Sequence, residues 1–225
     1  MPAPLELFVP GRLAVMGEHS DWAGELRRFN GEIVLGQCLV CGTNEGLHAR
    51  VTAAAHDADD PDDDGAAGVL EMVSTRTDGT RSTCSIPLHR SELIDLARRG
   101  GFWSYVAGTA YVMLDRFHVR GIKIDNYKTT LPASKGLSSS AAVCVMVARA
   151  FNLVFGLGLS ARGEMEIAVR APAVPRPASA PLSLCGCPNR LLHLRCCIYS
   201  TLARCLRLPS ADGWTSAWPL ATAPS

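Results

Sequence analysis

The spacing of apolar residues changes several times along the first 170 residues. Apolar runs with strand character occupy residues 6–16, 31–52 and 121–125, and residues 71–86 predict a hairpin around Asp78-Gly79. Apolar positions three and four residues apart predict helices over residues 91–99, 103–117, 141–153 and 160–169. Pro10-Gly11 is expected to break the first strand, and residues 31–52 are expected to form two or three strands.

The segment between the strand at 121–125 and the helix at 141–153 has an unusual composition. Residues 132–142 read PASKGLSSSAA, and we call residues 132–140 the serine loop. Glycine lets the backbone approach an anion closely, and the unpaired N–H groups and the dipole of a first helical turn favour negative charge. Serine hydroxyls can donate to phosphate oxygens or ligate Mg²⁺, which prefers oxygen. The composition indicates a phosphate cradle; the alternative is a serine-rich cap that opens a buried helix.

A cluster of polar residues follows the first strand. Glu18, His19 and Asp21 lie within four residues of one another at the predicted strand end. Carboxylates accept hydrogen bonds from sugar hydroxyls, and histidine can donate or accept them. The cluster therefore suits a ligand with several hydroxyl groups, and an ordinary polar turn is the alternative.

Both stretches resemble motifs of one enzyme superfamily. Residues 132–142 are similar to the motif P-x-x-x-G-L-x-S-S-A-A of the galactokinase, homoserine kinase, mevalonate kinase and phosphomevalonate kinase superfamily, the GHMP kinases. Residues 10–22 resemble the galactokinase motif P-G-R-x-x-x-x-G-E-H-x-D-Y, with Trp22 in place of tyrosine and Ala14 in place of the usual asparagine. Mevalonate kinases share the Gly-Glu-His part without the aspartate, so Asp21 favours a sugar kinase.

The resemblance implies an α+β fold, a GHMP kinase N-terminal domain with a mixed β-sheet and helices, over residues 1–170. It implies ATP-dependent phosphorylation of a sugar hydroxyl, with ATP and Mg²⁺ as cofactors. Arg12 would stabilise the transferring phosphoryl group, a role that suits its fixed cationic fork. The sugar would be bound by Glu18, His19 and Asp21. The nucleotide would be bound by Lys135, Gly136, Leu137, Ser138, Ser139 and Ser140, and Ser140 would also ligate the metal.

The resemblance weakens after residue 170. Residues 171–225 contain eight prolines, five cysteines, five arginines and one acidic residue, Asp212, and we expect an irregular or disordered tail rather than a folded domain. Three interpretations are a zinc-binding appendix, a disordered or partner-binding extension, and the product of a shifted reading frame or retained intron; the composition favours the last. GHMP kinases carry their catalytic aspartate in a context like S-x-C-G-x-M-D-Q. No aspartate here matches it, so no base is assigned and this 225-residue chain is expected to lack measurable turnover.

Net charge and cysteine content argue against several classes of protein. A formal net charge of +1 gives no electrostatic case for nucleic acid or an anionic membrane. No signal peptide and no apolar run of about 18 residues is evident, so we expect a cytoplasmic protein whose partners are a sugar and ATP. Nine cysteines without a secretory signal argue against a disulfide framework. The rival functions are a catalytically inactive sugar or nucleotide sensor with a regulatory role, and a non-functional fragment. The oligomeric state is not predicted.

Overall fold

The computed structural model describes residues 3–17, 26–34, 37, 39–54, 68–132 and 139–170. Within them the main elements, in chain order, are β1 (Leu5–Met16), β2 (Leu39–Ala53), β3 (Val69–Thr75), β4 (Arg81–Pro87), α1 (Arg90–Arg99), α2 (Phe102–Phe117), β5 (Ile122–Thr129), α3 (Ser139–Phe155) and α4 (Ala161–Arg170). This arrangement confirms the predicted α+β class. The predicted tail, residues 171–225, lies outside the described residues.

The strands form one mixed sheet in the order β1-β2-β5-β3-β4. β3 and β5 are parallel, whereas β1 with β2, β2 with β5 and β3 with β4 are antiparallel. It follows that β1, β3 and β5 all run in one direction and that their carboxyl ends point to the same edge of the sheet, which we call the carboxyl edge. β1 continues past the end of β5, from Val9, which is level with Thr129, to Met16.

The helices cover one face of the sheet and close the core. α3 packs against β1, β2 and β5 and also against α2 and α4, while α1 packs against α2 and β4. Every residue from Ala141 to Ala148 is buried, so α3 is surrounded rather than amphipathic. Most of these residues are small, which lets the neighbouring elements approach the helix closely. The sheet contributes alternate apolar residues, among them Val9, Ala49, Val51, Met72 and Ile124.

The opposite face of the sheet carries ion pairs. Arg50 pairs with Glu6 at 3.0 Å, Arg81 with Asp125 at 2.7 Å and Lys123 with Glu71 at 3.2 Å. These side chains are largely exposed, so each pair contributes little to stability. The arrangement is the alternation expected of a sheet with one packed face and one solvated face. No helix within the described residues is long and apolar enough to cross a membrane.

Two expectations about the strands were wrong. β1 does not end at Pro10-Gly11; the strand continues, and a register shift between Pro10 and Arg12 absorbs the irregularity. Residues 39–53 form one long strand, and residues 30–33 form a turn closed by a hydrogen bond from the N–H of Ile33 to the carbonyl of Asn30. Gly46 inside β2 suggested a strand end, but it lies where β2 closely approaches Phe8 and Val9 of β1.

Candidate functional site

Arg12 lies in β1 at the register shift, and its side chain is almost completely buried. No side chain would fit at the neighbouring residue, Gly11. A Cβ atom at Gly11 would clash with Cδ2 of Leu131 and would lie 2.9 Å from Oγ1 of Thr43. Thr43 Oγ1 also donates a hydrogen bond of 2.7 Å to the carbonyl of Glu45, which holds the irregular part of β2 in shape. The close approach at Gly11 brings the first motif into contact with the segment that leads to the second.

That segment is fixed to β2 by backbone and side-chain hydrogen bonds. The N–H of Thr130 donates to the carbonyl of Gly46 at 3.0 Å, and the N–H of Gly46 donates to Oγ1 of Thr130 at 2.8 Å. Leu131, the next residue, is buried. The serine loop begins at the next residue, Pro132, so its entry point is held by β2 and touches β1. The sequence motifs are separated by more than a hundred residues, and this contact joins them.

The exit of the serine loop is the amino end of α3. The helix begins at Ser139, and both Ser139 and Ser140 are half-buried. The first-turn N–H groups of a helix have no partner within the helix, and its dipole places partial positive charge at this end. The two serines add hydroxyl donors at the same place. Ser139, Ser140 and the first turn of α3 therefore supply hydrogen-bond donors and partial positive charge, which are the groups that bind an anion.

Thr75 was not singled out by the sequence and lies at the same carboxyl edge. It is the last residue of β3, which runs parallel to β5 in register from Leu70 with Ile122 to Ser74 with Asn126. Its Oγ1 is buried and has no hydrogen-bond partner among the residues that the structure describes. A buried hydroxyl without a partner is costly, and such a group commonly marks a ligand or an unseen water. Sequence gives no signal for it, because Val-Ser-Thr is typical of any strand end.

Several predicted site residues lie outside the described residues. They are the three proposed sugar-binding residues and four of the six proposed nucleotide-binding residues: Glu18, His19, Asp21, Lys135, Gly136, Leu137 and Ser138. The elements that flank them are described. β1 ends at Met16 and leads into Gly17, which has a positive φ of 78°, a backbone conformation that favours glycine. The polar cluster therefore follows the carboxyl end of β1, as the serine loop follows that of β5.

Glu164 is the one acidic side chain that is fully buried among the described residues, and it lies away from this edge. Asn152 Nδ2 donates to its Oε1 at 2.6 Å, and Arg149 lies 3.3 Å from its Oε2. Burial raises the pKa of this carboxyl, although the hydrogen bond from Asn152 and the charge of Arg149 oppose the shift. Asn152 is twelve residues beyond Ser140, about 18 Å along the helix axis. Glu164 therefore cannot share a metal ion with Ser140.

The donors described for a magnesium ion are hydroxyl oxygens. No group of three or more His, Cys, Asp or Glu that could hold a metal occurs in the described ranges. Mg²⁺ commonly keeps several waters and is held by few protein ligands together with substrate phosphates. Ser140 fits that mode of binding, in which the nucleotide supplies most of the charge.

A family model matches the middle of the chain. Residues 104–180, which include most of α2 together with β5, the serine loop, α3 and α4, are similar to the GHMP kinases N terminal domain. The match supports the superfamily that the motifs indicated, and it includes the second motif. No curated protein matches the chain.

Several solved structures have a similar fold. The Methanococcus jannaschii mevalonate kinase superposes with a TM-score of 0.56 at 14% identity, over 76% of this chain and 47% of the kinase. The Lactococcus lactis galactokinase, solved with galactose, gives 0.51 at 18% identity, over 75% of this chain and 37% of the kinase. The Lin0012 protein of Listeria innocua gives 0.55 at 15% identity, over 89% and 46%. The chain thus spans less than half the length of these proteins, and the likeness concerns the fold alone.

Proposed function

We propose that this chain forms the nucleotide- and sugar-binding part of a galactokinase-like sugar kinase, which transfers a phosphoryl group from ATP to a sugar hydroxyl. The observation that carries the proposal is the approach of Gly11 to Leu131. It brings Arg12 and the chain toward the E-H-x-D cluster to the carboxyl edge where the serine loop begins. This approach supports the proposal, because it brings the described start of one motif next to the segment that leads into the other.

The proposed roles follow from the charges that phosphoryl transfer develops. The β- and γ-phosphates would lie at the amino end of α3, where N–H groups, Ser139 and Ser140 can donate to their oxygens. Arg12 would stabilise the charge on the transferring group. A buried guanidinium attracts an anion more strongly than an exposed one does, because the protein interior has a lower dielectric constant than water and screens the two charges less. Mg²⁺, held by the phosphates and Ser140, would neutralise the charge that develops between the β- and γ-phosphates.

Sugar binding is assigned to the cluster after β1. Glu18 and Asp21 would accept hydrogen bonds from sugar hydroxyls, and His19 would donate or accept one. Asp21 is the residue that distinguishes a sugar kinase from a mevalonate kinase in this motif, so it supports the choice of substrate class. Positioning the hydroxyl in line with the γ-phosphate is the main task of such a site, since phosphoryl transfer depends on alignment and charge stabilisation.

A sugar- or nucleotide-binding regulatory protein without catalysis is the second candidate. It is favoured by the lack of any aspartate in the sequence context of the family's catalytic base. General-base assistance typically contributes about 10²- to 10⁴-fold to a rate, so a chain without it could bind both ligands and transfer nothing measurable.

One experiment separates these candidates. The full 225-residue chain would be titrated with Mg-ATP and with a panel of aldoses by calorimetry, and then incubated with γ-³²P-labelled ATP and the best-bound sugar. Binding of both ligands with sugar-dependent transfer of label supports the kinase. Binding of both ligands without labelled sugar supports the regulatory candidate. Failure of a folded chain to bind Mg-ATP contradicts the kinase, and failure to bind either ligand contradicts both candidates.

A further inference from the structure

β5 carries one residue more than its partner β2 shortly before the serine loop. In the ladder between the two strands Asn126 pairs with Ala49, and Lys128 pairs with His48. Tyr127 lies between these pairs with no residue opposite it, so it is the extra residue of a β-bulge. A bulge changes which face of the sheet the side chains after it occupy.

The bulge determines where Leu131 points. Before it, Ile122 and Ile124 face the core, and the residues next to them face the solvated side. An uninterrupted alternation would send Lys128 into the core and Leu131 to the solvated face. Instead Lys128 is exposed, and Leu131 is buried where a Cβ atom at Gly11 would meet it. The contact that joins the two motifs therefore depends on the bulge.

The side chain of Asn126 bridges the bulge. It occupies a core-facing position at which the alternation calls for an apolar residue, and it is 1% exposed. With the amide oriented so that its nitrogen faces two carbonyls, Nδ2 donates to the carbonyl of His48 at 2.9 Å and to that of Lys128 at 3.0 Å, and Oδ1 accepts from Oγ1 of Thr129 at 2.9 Å. These partners lie directly beyond Tyr127. An apolar side chain could not make these bonds, and a buried amide is costly without them.

The direction set at the bulge is passed on to the serine loop. The N–H of Thr130 donates to the carbonyl of Gly46 at 3.0 Å, which continues the ladder by one residue beyond β5. Leu131 then precedes Pro132, and a residue before proline is confined to an extended backbone. The chain from the bulge to the loop has little freedom to correct a wrong direction. Bulges are common next to active sites, where they redirect side chains.

We propose that Asn126 is a positioning residue of the candidate site. Its amide holds the bulge at Tyr127, the bulge keeps Leu131 against Gly11, and this contact fixes the entry of the serine loop next to β1 and Arg12. Asn126 acts through Leu131 and touches no ligand. The effect on nucleotide binding rests on the proposed function, whereas the effect on the loop entry does not.

The first test is Asn126→Leu in the full 225-residue chain, since leucine has a similar volume and no donor. The amide of Thr130 should exchange its hydrogen at least about tenfold faster relative to the amide of Val51 in the middle of β2, because the loop entry opens locally. The dissociation constant of Mg-ATP should rise by about fivefold or more, since donors aimed at a ligand must be held to within about 0.5 Å.

Asn152→Leu is the matched control. The Asn152 amide also holds backbone, because Nδ2 donates to the carbonyl of Leu159 at 3.0 Å and Oδ1 accepts from the N–H of Leu159 at 2.9 Å. It lies at the far end of α3 from the serines. Its replacement should lower stability and leave both the relative exchange of Thr130 and the Mg-ATP affinity unchanged.

Deletion of Tyr127 provides a rescue that a merely stabilising amide would not show. Without this residue the ladder runs from Ala49 with Asn126 to His48 with Lys128 uninterrupted, and Leu131 keeps its direction. The lost side chain lies on the solvated face, where the guanidinium of Arg50 is 4.5 Å from the centre of its ring. Asn126→Leu combined with this deletion should therefore return both measurements to within about twofold of the natural chain, a coupling between neighbouring residues.

Three results would overturn the proposal. They are an Asn126→Leu chain with natural exchange at Thr130 and natural Mg-ATP affinity, equal losses in Asn152→Leu, and a folded double variant in which deletion of Tyr127 rescues neither measurement. If the natural chain does not bind Mg-ATP, the proposed kinase fails, and the exchange of Thr130, which requires no nucleotide, decides the role of Asn126. Circular dichroism verifies that each variant is folded, and Asn126→Ala replaces Asn126→Leu if leucine prevents folding.

Discussion

Gly11 and Leu131 are in such close contact that no side chain fits at position 11. The two residues belong to segments more than a hundred residues apart, and each lies next to a motif with a proposed role in phosphoryl transfer. The glycine of the first motif is therefore explained by packing against the segment that leads to the second motif. Replacing Gly11 therefore tests whether this contact holds the two motifs next to each other.

Gly11→Ala should lower the free energy of unfolding by about 1–3 kcal/mol, the usual cost of forcing an extra methyl group into a packed core. The new Cβ would displace Leu131, which directly precedes the serine loop, or Thr43, which holds the irregular part of β2. Chemical denaturation measures the change. Gly31→Ala is the matched control, because a Cβ there has no atom within 4 Å. Equal stability of the two variants would show that the contact with Leu131 is looser than described.

Ser139→Ala combined with Ser140→Ala should weaken Mg-ATP binding by more than about 1.5 kcal/mol, roughly tenfold in dissociation constant, because hydrogen bonds to a charged group are lost. Calorimetry with the folded chain measures the affinity. Ser160→Ala is the control: its Oγ accepts a hydrogen bond of 3.2 Å from the N–H of Gly163 at the start of α4. Removing that serine should affect helix stability and leave the nucleotide affinity intact. Unchanged affinity in the double variant would favour the helix-cap alternative.

Asp21→Ala should abolish or strongly weaken binding of the best-bound sugar, since a charged acceptor contributes about 1.5–3 kcal/mol to a hydrogen bond. Asp95→Ala, at an exposed position on α1, should bind the sugar normally. If Asp21 is an ordinary turn carboxylate, its replacement will instead change stability and leave sugar affinity intact. That pattern would remove the main argument for a sugar over another hydroxyl-bearing substrate.

Much of the fold could be predicted because it depends on local pattern. The hairpin of β3 and β4 and the four helices follow from apolar spacing and from the Asp78-Gly79 turn. The course of β1 and β2 could not be predicted. Gly11 and Gly46 suggested strand ends, yet both lie inside strands, because each closely approaches a distant part of the chain. Such an approach depends on the register between strands, and sequence pattern alone does not fix it.

The site residues named from the sequence stay predictions. Arg12 was assigned from the resemblance to a galactokinase motif, and the serines from a composition and spacing that match the chemistry of an anion site. Thr75 was not predicted, because two features of the folded chain single it out. These are the parallel direction of β3 and β5, which places Thr75 at the carboxyl edge, and a buried hydroxyl without a hydrogen-bond partner in the described residues. Both properties belong to the assembled sheet. The contact between Gly11 and Leu131 is of the same kind.

The buried carboxyl of Glu164 should make stability depend on pH. Burial raises its pKa in the folded protein, so the folded state holds the proton more tightly than the unfolded chain does. Its contribution to stability is fully present below the unfolded pKa, and it is lost as the pH rises through the raised folded pKa. The free energy of unfolding of the natural chain should therefore fall over this interval relative to Glu164→Gln. Glu92→Gln, which removes an exposed carboxylate, should follow the natural chain. Parallel curves for the natural chain and Glu164→Gln would contradict the raised pKa.

Thr75→Val should change stability and nucleotide affinity in opposite directions. Valine fills the same volume and removes a buried hydroxyl that has no hydrogen-bond partner, so the free energy of unfolding without ligand should rise by about 1 kcal/mol or more. If a nucleotide supplies the missing partner, Mg-ATP affinity should fall by about 0.5–1.5 kcal/mol, the usual net value of one hydrogen bond.

Denaturation with and without Mg-ATP measures both effects on the same samples. Thr83→Val, at an exposed position on β4, is the control and should alter neither quantity by more than about 0.5 kcal/mol. A stabilised Thr75→Val that binds Mg-ATP as the natural chain does would mean that the hydroxyl is satisfied by water alone. The carboxyl end of β3 would then lie outside the nucleotide site, and that site would be restricted to Arg12 and the amino end of α3.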